Sequence, residues 1–159
     1  MTTAVVTTRA PRVGWVVAGG LLVGALDITY ACIFWGIKAG VAPTRVFQSV
    51  ASGLLGPASF DAGPSTAALG LALHFSIAMT MAVTYYLVAR SWRLLVRRAW
   101  ICGIAYGLAL YCIMNYMVLP LSAAGRGSGD HLWIGLSIAV HAFLIGLPIA
   151  LASRRALAG

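Results

Sequence analysis

The fold is decided by one apolar run, VGWVVAGGLLVGALDITYACIFWGI, which occupies residues 13–37. About 20 apolar helical residues cross the hydrocarbon core of a bilayer, so this run predicts a membrane span. Asp27 lies in its middle and is one of only three acidic residues in the chain. A carboxylate near the bilayer centre costs about 3 kcal/mol on insertion scales. Asp27 should therefore face the protein interior and have a partner there.

Three further apolar runs of similar length follow the first. With it they predict an all-α integral membrane four-helix bundle, a single domain over residues 1–159, with spans at about 13–37, 65–88, 99–119 and 131–152. The composition agrees, since 61% of the residues are hydrophobic and only 9% are charged, against about 25% charged in soluble domains. No G-x-S-x-G, HExxH or P-loop motif is present, so we expect a protein that is not an enzyme.

The basic residues of the chain are distributed unequally around the predicted spans. Two precede span one, four lie between spans two and three, and two follow span four: Arg9, Arg12, Arg90, Arg93, Arg97, Arg98, Arg154 and Arg155. Only Lys38, Arg45 and Arg126 lie on the other side. This asymmetry predicts a multi-pass inner-membrane protein with both termini in the cytoplasm. The formal net charge of +8 is thus a topology signal, and we expect lipid rather than nucleic acid as the partner.

The connection between spans one and two predicts a short extracytoplasmic amphipathic helix. Pro43 suits a first helical turn, and residues 44–55 place polar side chains on one side and apolar ones on the other. A helix of this length lies on the membrane or folds back over the bundle as a lid; it does not cross. The candidate lid residues are Arg45, Gln48 and Ser52.

Three ionisable residues occur at one predicted depth in three different spans. Asp27, His74 and His141 each lie about ten residues, or about 15 Å, from the extracytoplasmic end of their span. We expect them to form a buried polar cluster, with Asp27 within hydrogen-bond or one-water reach of one of the histidines. The residues expected to surround this cluster are Tyr30, Tyr111, Asn115 and Ser137.

Several functions are compatible with such a cluster. It could lock the helices together, exchange protons, or handle a small solute. His74 and His141 could also hold a haem iron or, with Asp27, a metal ion, and lipid or quinone binding stays open. The rival class is a structural or accessory subunit that docks on a larger membrane complex or forms a homo-oligomer. We expect no cofactor and no metal, and the three cysteines include no CxxC pair.

Several local patterns carry a resemblance to a known group of proteins. The patterns are LDITYA, RVFQSVASGLLG, LHFSIA, MNYMVLPLS and VHAFLIGLPIAL. With them the chain resembles a group of small uncharacterised bacterial four-helix inner-membrane proteins and, more distantly over its last three spans, the YagU-like family. It departs from that family in the short connection between spans one and two. The resemblance implies a bacterial inner-membrane location and brings no substrate.

Overall fold

The computed structural model describes residues 12–125 and 127–158, and this part of the chain is helical without strands. Six helices follow one another: α1 (Gly14–Ala39), α2 (Pro43–Leu55), α3 (Pro64–Ser91), α4 (Arg93–Arg97), α5 (Ala99–Leu121) and α6 (His131–Leu157). A 3₁₀ turn, Gly56–Phe60, joins α2 to α3.

Four of these helices are long and apolar enough to cross a membrane: α1, α3, α5 and α6. The shortest of them, α5, has 23 residues and is therefore about 35 Å long. Each helix begins within one residue of its predicted span and ends two to five residues beyond it. The prediction of an all-α bundle with four membrane-spanning helices is confirmed.

The basic residues gather at the two ends of the bundle as the four-span prediction requires. The Arg12 backbone N–H donates to the Ala156 carbonyl at 3.1 Å, so α1 begins where α6 ends. This arginine-rich end carries Arg12, Arg90, Arg93, Arg97, Arg98, Arg154 and Arg155. The opposite end, here called the α2 end, carries Lys38, Arg45, α2 itself and the connection between α5 and α6. Arg9 and Arg126 lie outside the described residues.

Glycines bring the long helices into backbone contact. A Cβ on Gly107 of α5 would overlap the carbonyl oxygen of His141 in α6, and one on Gly24 of α1 would lie 2.8 Å from the ring of Phe75 in α3. Small residues allow this approach in membranes, where helix association depends on close packing. The glycine-containing stripes of the sequence are therefore the helix–helix contacts of the bundle.

The amphipathic helix α2 packs against α3 with its backbone. A Cβ on Gly70 of α3 would overlap the carbonyl oxygen of Phe47, so the two helices touch there without an intervening side chain. The helix buries Gln48, which is 4% exposed, and leaves Leu54 64% exposed. Its buried face is therefore mixed, with Gln48 and Ser52 beside the apolar Val46 and Ala51.

Two π-helical segments interrupt the last two spans, Met114–Val118 in α5 and His141–Gly146 in α6. Each lies just before a proline, Pro120 or Pro148, whose ring clashes with the carbonyl four residues earlier and which donates no N–H. The wider turn accommodates this clash. Helix α5 ends one residue after Pro120, at Leu121.

Candidate functional site

A cavity of about 660 Å³ lies among α1, α2, α3, α5 and α6 in the half of the bundle nearer the α2 end. Its walls are mostly apolar, and its polar groups include Asp27 of α1, His74 of α3, Asn115 of α5 and His141 of α6. Small-molecule sites in proteins have this size and this mixture of apolar walls with a few polar groups. On the arginine-rich side of the cavity, the Tyr106 hydroxyl of α5 donates to the Met81 carbonyl of α3 at 2.8 Å.

The two histidines of the predicted cluster are each anchored to a backbone carbonyl. His74 Nε2–H donates to the Gly24 carbonyl at 2.8 Å, and His141 Nδ1–H donates to the Ser137 carbonyl at 2.9 Å. The first bond depends on glycine, because the absence of a side chain at Gly24 lets α3 approach α1. A carbonyl oxygen can only accept, so these bonds assign the protons; in the neutral rings, His74 Nδ1 and His141 Nε2 carry lone pairs.

Asp27 lines the same cavity but bonds to neither histidine. No hydrogen bond or ion pair joins its carboxylate to any group of residues 12–125 and 127–158. The structure therefore shows no direct hydrogen bond between Asp27 and either histidine, and their approach within the reach of one water stays a prediction. One ring N–H of each histidine donates to a helix carbonyl, which leaves the Asp27 carboxylate on the cavity wall without a donor from the described residues.

The residues predicted to surround the cluster divide into two groups. Ser137 and Asn115 line the cavity, and the Asn115 amide donates to the Tyr111 carbonyl at 3.0 Å. Tyr30 and Tyr111 stand outside the lining. The Tyr30 hydroxyl lies 3.2 Å from Ser137 Oγ, and the Tyr111 ring meets the His141 ring edge-on at 5.4 Å. The two tyrosines thus support the cavity wall from outside.

Two of the three candidate lid residues, Arg45 and Ser52, line the cavity. The Arg45 guanidinium donates to the Phe60 carbonyl at 2.8 Å and lies 5.1 Å from the centre of the Phe60 ring. Gln48 lies outside the lining, and its amide donates to the Gly63 carbonyl at 2.9 Å. Gln48 is therefore a residue that fastens α2 to the turn before α3.

Sequence reasoning missed an aromatic cluster at the α2 end. Trp133 stacks on Tyr30 with ring centres 5.1 Å apart and also contacts Phe34 and Trp35, at 5.0 and 5.3 Å. Trp35 and Trp133 both line the cavity. Aromatic residues at span ends usually indicate the membrane–water interface, so a cluster beside a cavity was not predicted for these four. Their common position, at the same end of two spans, was the signal that could have predicted the cluster.

An ion pair closes the same end of the bundle. The Lys38 ammonium, at the last turn of α1, donates to the Asp130 carboxylate, which also accepts from the Trp133 backbone N–H at 2.8 Å. Asp130 thereby caps the N-terminus of α6. The Lys38 ammonium and the Trp133 N–H hold the pKa of Asp130 below its usual range. The pair joins α1 to α6 beside the aromatic cluster.

The described residues include no group of three or more His, Cys, Asp or Glu placed to hold a metal ion. The three cysteines, Cys32, Cys102 and Cys112, are free thiols. No family model, curated protein or solved structure matches the chain. The site must therefore be interpreted from its own chemistry.

Proposed function

We propose that this protein binds a small, largely apolar solute in the cavity, with Asp27, His74 and His141 as its polar groups and Asp27 as a site of proton exchange. The observation that carries the proposal is the cavity itself, because side chains of all three ionisable residues line one space of about 660 Å³. A cluster that only locked helices together would be expected to fill its space with mutual hydrogen bonds, and Asp27 makes none within the described ranges.

The orientation of the protein in the membrane is part of the same proposal. The arginine-rich end is cytoplasmic by the positive-inside rule, so the cavity lies in the extracytoplasmic half of a bacterial inner membrane. The resemblance to small bacterial inner-membrane proteins supports this location. A solute would enter from outside past α2 and the Lys38–Asp130 ion pair.

A neutral apolar probe tests the proposal directly. We expect 1-adamantanol to bind the purified protein in lipid nanodiscs, as measured by calorimetry against empty discs. Ala31 lines the cavity, so Ala31→Trp should fill the space and abolish binding. Ala25 of the same helix is exposed, so Ala25→Trp is the matched control and should bind as the parent does. Undiminished binding by Ala31→Trp would refute the cavity as the site.

One observation favours the rival function of an accessory subunit. The outer face of α3 carries small residues at every fourth position, all of them exposed: Ala68, Ala72, Ser76, Thr80 and Thr84. Small residues at this spacing are enriched where membrane helices pack together. If docking is the function, Ala72→Leu should change the mass of the assembly in native mass spectrometry and leave 1-adamantanol binding unaltered.

A further inference from the structure

The ionisable groups of the cavity present hydrogen-bond acceptors. His74 and His141 use one ring nitrogen each to donate to a carbonyl, at 2.8 and 2.9 Å, so the other nitrogen of each neutral ring accepts. The carboxylate of Asp27 accepts through both oxygens. A complementary ligand must therefore supply N–H or O–H donors at this place.

The charge of Asp27 is not neutralised by the described part of the protein. Among the described residues, the other charged group on the cavity wall is Arg45, and its guanidinium is engaged at the mouth with the Phe60 carbonyl and the Gln48 side-chain oxygen, at 2.8 and 3.4 Å. No ion pair joins Arg45 to Asp27. An unpaired carboxylate in an apolar setting attracts a cation strongly, because little water screens it.

The remaining walls suit an apolar body attached to such a cation. Valine, isoleucine, leucine and methionine side chains make up much of the lining, and the indoles of Trp35 and Trp133 stand beside them. Aromatic faces attract cations through the negative charge of the ring face. A solute with an apolar body therefore finds favourable contacts on its way to Asp27.

We propose that the cavity selects apolar solutes that end in a protonated amine, the ammonium donating to Asp27 and to the free nitrogens of His74 and His141. This inference rests on the proposed function and names the solute class. A quinone offers only carbonyl acceptors and would set oxygen lone pairs against the carboxylate. An organic anion would add a second negative charge beside Asp27.

Three probes with the same hydrocarbon cage test the inference: 1-adamantylamine, 1-adamantanol and 1-adamantanecarboxylate. Each is titrated by calorimetry at neutral pH into protein in nanodiscs, with empty discs as the blank. We expect the amine to bind at least about tenfold more tightly than the alcohol, since a charge-assisted hydrogen bond contributes about 1.5–3 kcal/mol. The carboxylate should bind most weakly.

Replacing the Asp27 carboxylate separates its contribution to amine affinity from the contribution of the apolar contacts. Asp27→Asn should remove the advantage of the amine, so that the amine and the alcohol bind with similar affinity. Asp61 is an exposed carboxylate outside the cavity, so Asp61→Asn should keep the parent's preference. The comparison of amine and alcohol binding by the parent protein tests the inference even if Asp27→Asn misfolds.

The outcomes distinguish the inference from the function on which it rests. Equal binding of amine and alcohol to the parent overturns the ammonium inference and leaves the solute-binding function in place. Tighter binding of the carboxylate overturns it as well and assigns the selectivity to Arg45 or protonated histidines. Failure of all three probes to bind refutes the proposed function itself.

Discussion

At the scale of single residues, the histidines and Asp27 have opposite relations to stability. His74 and His141 each donate one ring N–H to a backbone carbonyl, so these N–H groups are satisfied without Asp27. Asp27 has no donor among the described residues and lies near the middle of a membrane span. A carboxylate in this setting costs stability, as groups at binding sites commonly do.

The first prediction follows from this asymmetry. Asp27→Leu should leave the free energy of unfolding unchanged or raise it by up to about 3 kcal/mol, because a desolvated carboxylate is removed and no donor is orphaned. Asp27→Asn should behave similarly and lose ammonium binding. Chemical denaturation in detergent micelles measures the effect, with Asp61→Asn as control. A marked loss of stability in both Asp27 variants would show that the carboxylate has a structural partner.

At the scale of elements, α2 is held by one close backbone contact and one polar network. Gly70 admits the Phe47 carbonyl, and Gln48 donates to the Gly63 carbonyl. On its other side, the Ala123 N–H donates to the Gly53 carbonyl at 2.9 Å and joins α2 to the connection after α5. The helix therefore closes the cavity by fixed contacts on both sides.

Gly70→Ala should separate α2 from α3. The added methyl group would overlap the Phe47 carbonyl, and overpacking of this kind costs about 1–3 kcal/mol. We expect amide hydrogen exchange to accelerate across Pro43–Leu55 while α5 and α6 remain protected. Gly36→Ala is the control, because its nearest neighbour would lie 3.8 Å away. Unchanged exchange in α2 would mean that the contact at Gly70 does not hold it.

The Lys38–Asp130 ion pair between α1 and α6 predicts that the stability of the protein depends on pH. The pKa of Asp130 is lowered mainly by the Lys38 ammonium and next by the Trp133 N–H. Because the pKa of Asp130 is lower in the folded protein than in the unfolded chain, the ion pair stabilises the fold fully at pH values above the unfolded-state pKa of about 4. This stabilisation is lost as the pH falls through the lower, folded-state pKa. The thermal midpoint should therefore decrease below about pH 4, and less so in Asp130→Asn.

Lys38→Gln removes the same ion pair from its other side, so it should also weaken the pH dependence. The effect should be small in both variants, because exposed ion pairs contribute little to stability. Parallel pH profiles for the parent and Asp130→Asn would contradict the assignment.

At the scale of the whole molecule, the sidedness of the bundle can be tested by labelling. Single cysteines at Ser91 and Ser128, in a background lacking Cys32, Cys102 and Cys112, should react from opposite sides of the membrane. The reason is the arginine asymmetry between the two ends. An impermeant maleimide should label position 128 in intact cells and position 91 only after permeabilisation. Labelling of both positions in intact cells would contradict the topology.

Hydropathy was sufficient to predict the four spans. In lipid every backbone polar group must be hydrogen-bonded within the protein, so a long apolar segment that crosses the membrane forms a helix. Hydropathy was insufficient for Gln48, since the amphipathic pattern of α2 does not say which side faces protein. The depth argument found residues that line one cavity, Asp27 and His74 among them. It did not predict the hydrogen bonds of the rings, because the acceptor for His74 is the Gly24 carbonyl, and a sequence does not show which backbone carbonyl lies beside a side chain.

The aromatic cluster gives the molecule an internal optical reporter. The chain has five tryptophans, of which Trp35 and Trp133 line the cavity and Trp15, Trp92 and Trp100 are exposed. Replacing the exposed three by phenylalanine would leave emission from the two cavity indoles alone. Indole emission moves to shorter wavelength as its surroundings become less polar, so an apolar solute that displaces water should shift it to the blue. Occupancy of the cavity could then be followed in native membranes without an attached dye.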